Sequence, residues 1–154
     1  MSYRNKSKLF IVSLIVLLVA NCYVNYQVVS KLDYNPNQNE YGLINFLESN
    51  NLSYGYGFHW EANIITYLSH ETVTVRPAFI LENGITPYRA LSNDNWYDHK
   101  PNEFFYIVNN NDSYPGQVYQ SKIIITRYPP ANTYVYGHYT IYTFNNPDIL
   151  IQFN

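Results

Sequence analysis

The chain has 154 residues, room for one domain of modest size plus a tail. Its charged residues make up 13% and its formal net charge is −2; no basic stripe exists, which argues against nucleic acid as a partner. Cys22 is the single cysteine, so no intrachain disulfide can form and the domain must hold by packing. The eighteen tyrosines are the strongest anomaly. They fit either AT-rich codon usage or a surface that binds through rings with polar tips.

Arg4, Lys6 and Lys8 precede the apolar run Leu9 to Ala20, LFIVSLIVLLVA. Cys22, Tyr23, Val24, Val28 and Val29 extend that run toward the length of a membrane span, with Tyr23 and Tyr26 placed for the interface. Residues 1–28 therefore read as a membrane anchor or signal segment. A cleaved signal peptide finds Ala20 but fits Asn21, Tyr23 and Asn25 poorly, and a lipoprotein signal would place lipid on Cys22. An uncleaved single-pass anchor is the preferred reading. The basic N-terminal side then predicts a cytoplasmic N-terminus and an extracytoplasmic domain in the cytoplasmic membrane. Residues 29–40, VSKLDYNPNQNE, read as a polar linker.

Residues 41–154 read as one small α/β (or α+β) domain with a mixed sheet of about five strands. Leu43, Ile44, Phe46 and Leu47 predict a short amphipathic helix that Asn50 and Asn51 end. Leu52 to Gly57 predicts a strand with Tyr54 and Tyr56 on one face. Trp60, Ile64, Ile65 and Leu68 predict a second helix with Trp60 and Leu68 in the core, and Thr72 to Ile80 predicts a β-branched strand. Strand, helix, strand with short links predicts a parallel βαβ unit with a right-handed crossover. Gly84 and Pro87 signal a turn, Tyr88 to His99 a loop or short helix, and Glu103 to Val108 a strand. Tyr114 to Ser121 has room for one helical turn and Lys122 to Arg127 reads as a strand. Thr133 to Phe144 reads as a strand pair, or one strand bent at Gly137, and Ile149 to Phe153 as a last short strand.

No Gly-rich phosphate loop, H-E-x-x-H, cysteine pair or G-x-S-x-G is present, and no residue is assigned as catalytic, metal-binding or cofactor-binding. The densest polar group lies where a strand meets a helix N-terminus, the edge at which parallel α/β sheets bind ligands. The candidate ligand-binding residues are Tyr56, His59, Trp60, Glu61 and Asn63, with Trp96 and Tyr97 as a wall. Rings there offer stacking faces, and Glu61 and Asn63 offer partners for hydroxyls, so a neutral or cationic ligand is expected. The competing reading makes Glu61 a cap of the first helical turn, Trp60 core, and Trp96 and Tyr97 a hydrophobic plug. Asp94, Asp98 and His99 match no metal motif, and Arg76 is expected to pair with Glu61 or Glu71. Sequons at Asn51 and Asn111 are weak in so Asn-rich a chain.

Tyr54 to Gly57 (Y-G-Y-G), Trp60 to Ser69 (W-x-A-N-I-I-T-x-L-S) and Val73 to Pro77 (V-x-V-R-P) together resemble a known region. It is the C-terminal soluble region of polytopic bacterial membrane glycosyltransferases, GT-C-like and related to protein mannosyltransferases. Pro87 to Tyr97 (P-Y-R-A-L-S-N-D-N-W-Y) and Tyr136 to Leu150 (Y-G-H-Y-T-I-Y-T-F-N-N-P-D-I-L) resemble the same tails, so the similarity covers Tyr41 to about Leu150. It implies a glycan, a lipid-linked sugar or a polytopic membrane glycosyltransferase as partner, besides the membrane itself. In that family catalysis rests on acidic residues in an early extracytoplasmic loop between membrane helices. This chain has one hydrophobic segment and no such loop, so the transferase activity passes to none of its residues. The expected function is a non-catalytic accessory of such a system or a separated fragment of such an enzyme. The alternative is a periplasmic interaction or structural protein with no sugar-related role.

Overall fold

Helix α1, Tyr3–Lys31, opens the chain. Its stretch Phe10–Ser30 has 21 residues and is long and apolar enough to cross a membrane; at about 1.5 Å per residue it matches a hydrocarbon core of about 30 Å. Apolar side chains from Phe10 to Val29 lie exposed, as lipid-facing residues do. The polar side chains near its end pair along the helix: the Asn25 amide donates to the Asn21 carbonyl at 2.8 Å, and Gln27 to the Tyr23 hydroxyl at 3.0 Å. This computed structural model describes residues 3–31, 37–98, 100–111 and 115–153, with backbone only at residues 3–9, 31, 91 and 115. Part of the expected linker, His99, Tyr114 and part of the Asn111 sequon lie outside the described residues. The chain forms two compact units, residues 1–36 and 37–154.

The second unit is an α/β domain. Helix α2 (Gln38–Ser49) leads to strand β1 (Tyr54–Gly57), helix α3 (His59–Leu68) and strand β2 (Thr74–Leu81). Strand β3 (Gly84–Pro87) and two 3-10 turns (Arg89–Leu91, Asp94–Tyr97) follow, then strand β4 (Phe104–Asn109) and helix α4 (Pro115–Arg127). Strands β5 (Asn132–Tyr136) and β6 (Tyr139–Phe144) and a 3-10 turn (Pro147–Ile149) close it. The sheet runs β3-β2-β1-β4-β6-β5. β1 is parallel to both β2 and β4, and the other pairs are antiparallel.

Alternation along the strands splits the core in two. Val75, Phe105, Ile107 and Ile141 face α2 and α3, with Leu43, Leu47, Ala62 and Ile65 packed on them. Tyr56, Ile80, Tyr106 and Phe144 face the other way, against Ile124 of α4 and the C-terminal Phe153. Asn51 ends α2 as expected: at φ 56° it is left-handed, and Leu52 N–H closes back on the Leu47 carbonyl at 2.9 Å. Gly55 sits where β1 meets β4, and a Cβ there would run into the Phe105 carbonyl and ring.

β2 is twice the length of β1 and of β3, so many of its backbone groups reach past its neighbours. Thr66 of α3 caps one position in both senses: its hydroxyl accepts from Val75 N–H at 2.9 Å and donates to the Val75 carbonyl at 2.8 Å. Two residues on, Pro77 has no N–H to satisfy, and its carbonyl accepts from Tyr88 N–H at 3.0 Å and the Tyr97 hydroxyl at 2.7 Å. Beyond the end of β1, the Ala78 carbonyl accepts from the Tyr106 hydroxyl at 2.8 Å, and Ile80 N–H donates to the Gln117 amide oxygen at 3.1 Å. Buried backbone groups left unpaired are costly, and here four side chains and one backbone N–H meet overhanging groups that the ladder does not reach.

Four expectations are corrected. Lys122 to Arg127 is the end of α4, not a strand; its inward stripe is Gln117, Ser121 and Ile124, and two polar members hide the helical period. Gly84–Pro87 is a sixth strand paired with Ala78 to Leu81, with the turn at Glu82 and Asn83. Ile149 to Phe153 makes a single bridge, Leu150 to Ile85, rather than a strand. Trp60 is 72% exposed, because α3 buries Glu61, Ala62 and Ile65 instead, with Leu68 half-buried. Replacing Thr66→Val keeps the shape but removes both bonds to Val75. It should cost about 1–3 kcal/mol in urea unfolding of the full chain, and a loss under about 0.5 kcal/mol would show that the hydroxyl caps nothing of value.

Candidate functional site

α3 distributes the candidate residues by its turn. His59, at its start, has its Nδ1 3.0 Å from the Asn63 side-chain amide one turn on, which donates to it. The His59 ring also lies 5.2 Å from Trp60 and 5.5 Å from Tyr88. Tyr88 rests on Phe79 at 4.7 Å, and Phe79 on Phe58 at 5.6 Å. This half-exposed aromatic row covers the carboxyl end of β1 and β2.

The other candidates separate. Glu61 turns inward and is buried; one carboxylate oxygen accepts from the Asn109 amide at 2.9 Å, tying α3 to the end of β4. Tyr56 and Tyr97 are fully buried core rings, each about 5 Å from Phe153, and neither offers a face to a ligand. Tyr97 is therefore the plug, whereas Trp96 stays half-buried with the Arg76 guanidinium 4.1 Å over its ring. That stacking replaces the expected ion pair of Arg76: among the described residues the one ion pair joins Arg89 to Asp94 at 2.6 Å. Among the described residues no three His, Cys, Asp or Glu side chains converge as a metal site would need.

Asn63 and Trp96 both line an open groove of about 480 Å³ along the flank of α3. Thr66 and Val75 form its floor, which is the capped edge of β2, and Tyr67, His70, Glu71 and Arg76 complete it. Tyr67 is 79% exposed. His70 and Glu71 are successive non-glycine residues at φ 51° and 66°, a strained pair on the rim. The groove thus joins a ring wall, an amide, a guanidinium, an imidazole and a carboxylate within a volume suited to a small ligand. Tyr67 and His70 escaped the sequence reading, which placed Arg76 in an ion pair rather than in a site. The outward stripe Trp60, Asn63, Tyr67, spaced three and four apart, is the signal that marks that face. A second cleft, of about 390 Å³, lies where β1 and β4 begin and β6 ends, lined by Asn50, Asn51, Glu103, Asn132 and Asn145 among others.

No protein-family model, curated protein or solved structure matches the chain. Fold and sequence define a small α/β domain that follows a helix able to cross a membrane.

Burial holds the hydroxyls of Tyr56, Tyr97, Tyr106 and Tyr139 above the ordinary tyrosine value. Neighbouring hydroxyls add to this at Tyr56, and the Glu40 and Glu61 carboxylates at Tyr139. The folded state keeps these protons while the unfolded chain releases them near pH 10, so their contribution is full below pH 10 and is lost as pH rises above it. Titration followed at the tyrosinate band should show these rings ionising only together with the loss of near-UV circular dichroism. Smooth ionisation of every tyrosine near pH 10 in a folded chain would contradict this burial.

Proposed function

We propose that the chain is a single-pass membrane protein with a cytoplasmic N-terminus. On this reading its extracytoplasmic α/β domain binds sugar units as an accessory of a GT-C-like glycosyltransferase system. The supporting observation is the groove that Asn63 and Trp96 line together with Arg76, whose guanidinium lies over the Trp96 ring. An amide, a guanidinium and an imidazole offer hydrogen bonds to sugar hydroxyls, and the exposed Tyr67 ring, beside the Arg76–Trp96 stack, offers a flat apolar surface on which pyranose C–H faces rest. Glu61, buried against Asn109, is not part of that surface, and the one carboxylate there, Glu71, is offset by Arg76, so a neutral glycan is the expected ligand. The resemblance of Tyr41 to about Leu150 to glycosyltransferase tails points the same way, and no reaction is assigned to these residues. The cation bias before the apolar run, Arg4, Lys6 and Lys8, supports the orientation.

A phosphatase reporter fused after Asn154 should be active outside the cytoplasmic membrane; activity of a cytoplasm-only reporter at that position would overturn the orientation. For the ligand, the full chain in detergent micelles is titrated with mannose, glucose and their short oligosaccharides, following tryptophan fluorescence. Saturable change is expected, lost in Trp96→Ala and weakened at least tenfold in Asn63→Ala, an effect of about 1.4 kcal/mol. No saturable response to any of these sugars, with the fold intact by circular dichroism, would overturn the sugar reading.

A further inference from the structure

Every edge of the sheet but one is closed. β3 is covered by the C-terminal segment: Ile151 N–H donates to the Ile85 carbonyl at 2.8 Å, and the Thr86 hydroxyl lies 2.9 Å from the Gln152 amide oxygen. The overhang of β2 is capped by Thr66 and ends at Pro77. β5, at the other end, pairs with β6 and among the described residues has no strand beyond it.

The direction of its free groups follows from the turn. Gly137, at φ 56°, and His138 make a two-residue hairpin loop between Tyr136 and Tyr139. The residues flanking such a loop exchange both backbone bonds, and bonded and non-bonded pairs then alternate along the hairpin. Tyr136 and Tyr134 therefore turn their N–H and C=O toward β6, and Thr133 and Val135 turn theirs outward. Between Asn132 and Tyr136 there is no charge and no proline, two of the features that blunt exposed edges. The Val135 side chain is 69% exposed.

We propose that β5 pairs with β5 of a second copy, antiparallel, with the two-fold axis at Tyr134. The outward groups choose this occupant and this register. They sit one residue to either side of Tyr134, so the reversed strand sets Thr133 opposite Val135 of its mate and about four backbone hydrogen bonds close at once. Two copies of an uncharged strand meet with no like-charge repulsion. Tyr134 already packs its ring 5.9 Å from Phe46 of α2, and the two Tyr134 rings fall side by side on that same face. An axis normal to the sheet also keeps α2 on one face in both copies. Isologous two-fold pairing of this kind is the commonest way for a chain to assemble with itself.

The test uses the full chain in detergent micelles with Cys22→Ser, so that no other thiol reports. At the axis the two Cα atoms of residue 134 come to about 4.5 Å, within disulfide range. Tyr134→Cys should give a disulfide-linked dimer under mild oxidation and Tyr136→Cys, four positions out of register with its copy, should not. Val135→Pro removes an outward N–H that the β5–β6 hairpin does not use. It should convert the otherwise unmodified dimer to a monomer in sedimentation, with circular dichroism unchanged. A wild-type chain that sediments as a monomer, equal cross-linking at both cysteine positions, or a dimer indifferent to Val135→Pro would overturn the proposal.

Discussion

β2 outruns its neighbours, and the arrangement of the domain answers that mismatch. β1 offers four residues of pairing and β3 another four on the opposite side, so the eight residues of β2 are never flanked on both sides at once. The groups left over are met from four directions: Thr66 from α3, Tyr88 and Tyr97 from the 3-10 segment, Tyr106 from β4 and Gln117 from α4. Each cap also fixes an element against the sheet. Gln117 and Ser121 give α4 a half-polar inner stripe, which a helix tolerates only where its polar atoms find partners. Tyr97 is buried to the hydroxyl because that hydroxyl has a carbonyl to bond, and its burial sets Trp96 beside it at the groove.

The groove and the free edge are consequences of the same geometry. Where Thr66 caps β2 no further strand is needed, and the space such a strand would occupy is the groove, with Val75 and Thr66 as its floor. At the far end, among the described residues, no strand pairs with the outer side of β5, so its backbone remains available. The left-handed pair His70 and Glu71 belongs to the tight return from α3 into β2, closed by Glu71 N–H on the Thr66 carbonyl at 3.0 Å. A ligand in the groove would therefore touch the residues that hold the β2 overhang, and binding would stabilise the fold by mass action.

Much of the fold is legible in the sequence where local signals agree. The apolar N-terminal run, the end of α2 at Asn51, the parallel pair around α3 and the hairpin at Gly137 all follow from periodicity and turn chemistry. The two misread helix faces share one cause: the inward position is taken by a polar residue whose partner is remote in the chain. Glu61 is inward because Asn109 holds it, 48 residues away, which rotates α3 by one position and expels Trp60. Gln117 is inward because Ile80 and Tyr106 bind it, which conceals α4. At the site, the carboxyl-end rule for parallel sheets brought Asn63 and Trp96 onto one short list, and both line the groove. The rule could not tell that Tyr56 and Tyr97 are core, nor that Arg76 stacks on Trp96 in place of an ion pair, since both depend on the side chains that cover β2.

The central claim is that side chains satisfy the overhang of β2 as a ladder would, and amide hydrogen exchange reads this directly. Val75 and Ile80, whose N–H groups meet only Thr66 and Gln117 side-chain oxygens, should exchange as slowly as Tyr56 in the middle of the sheet, opening only with global unfolding. Exchange of Val75 and Ile80 near the rate of an unstructured peptide, while Tyr56 stays protected, would contradict it.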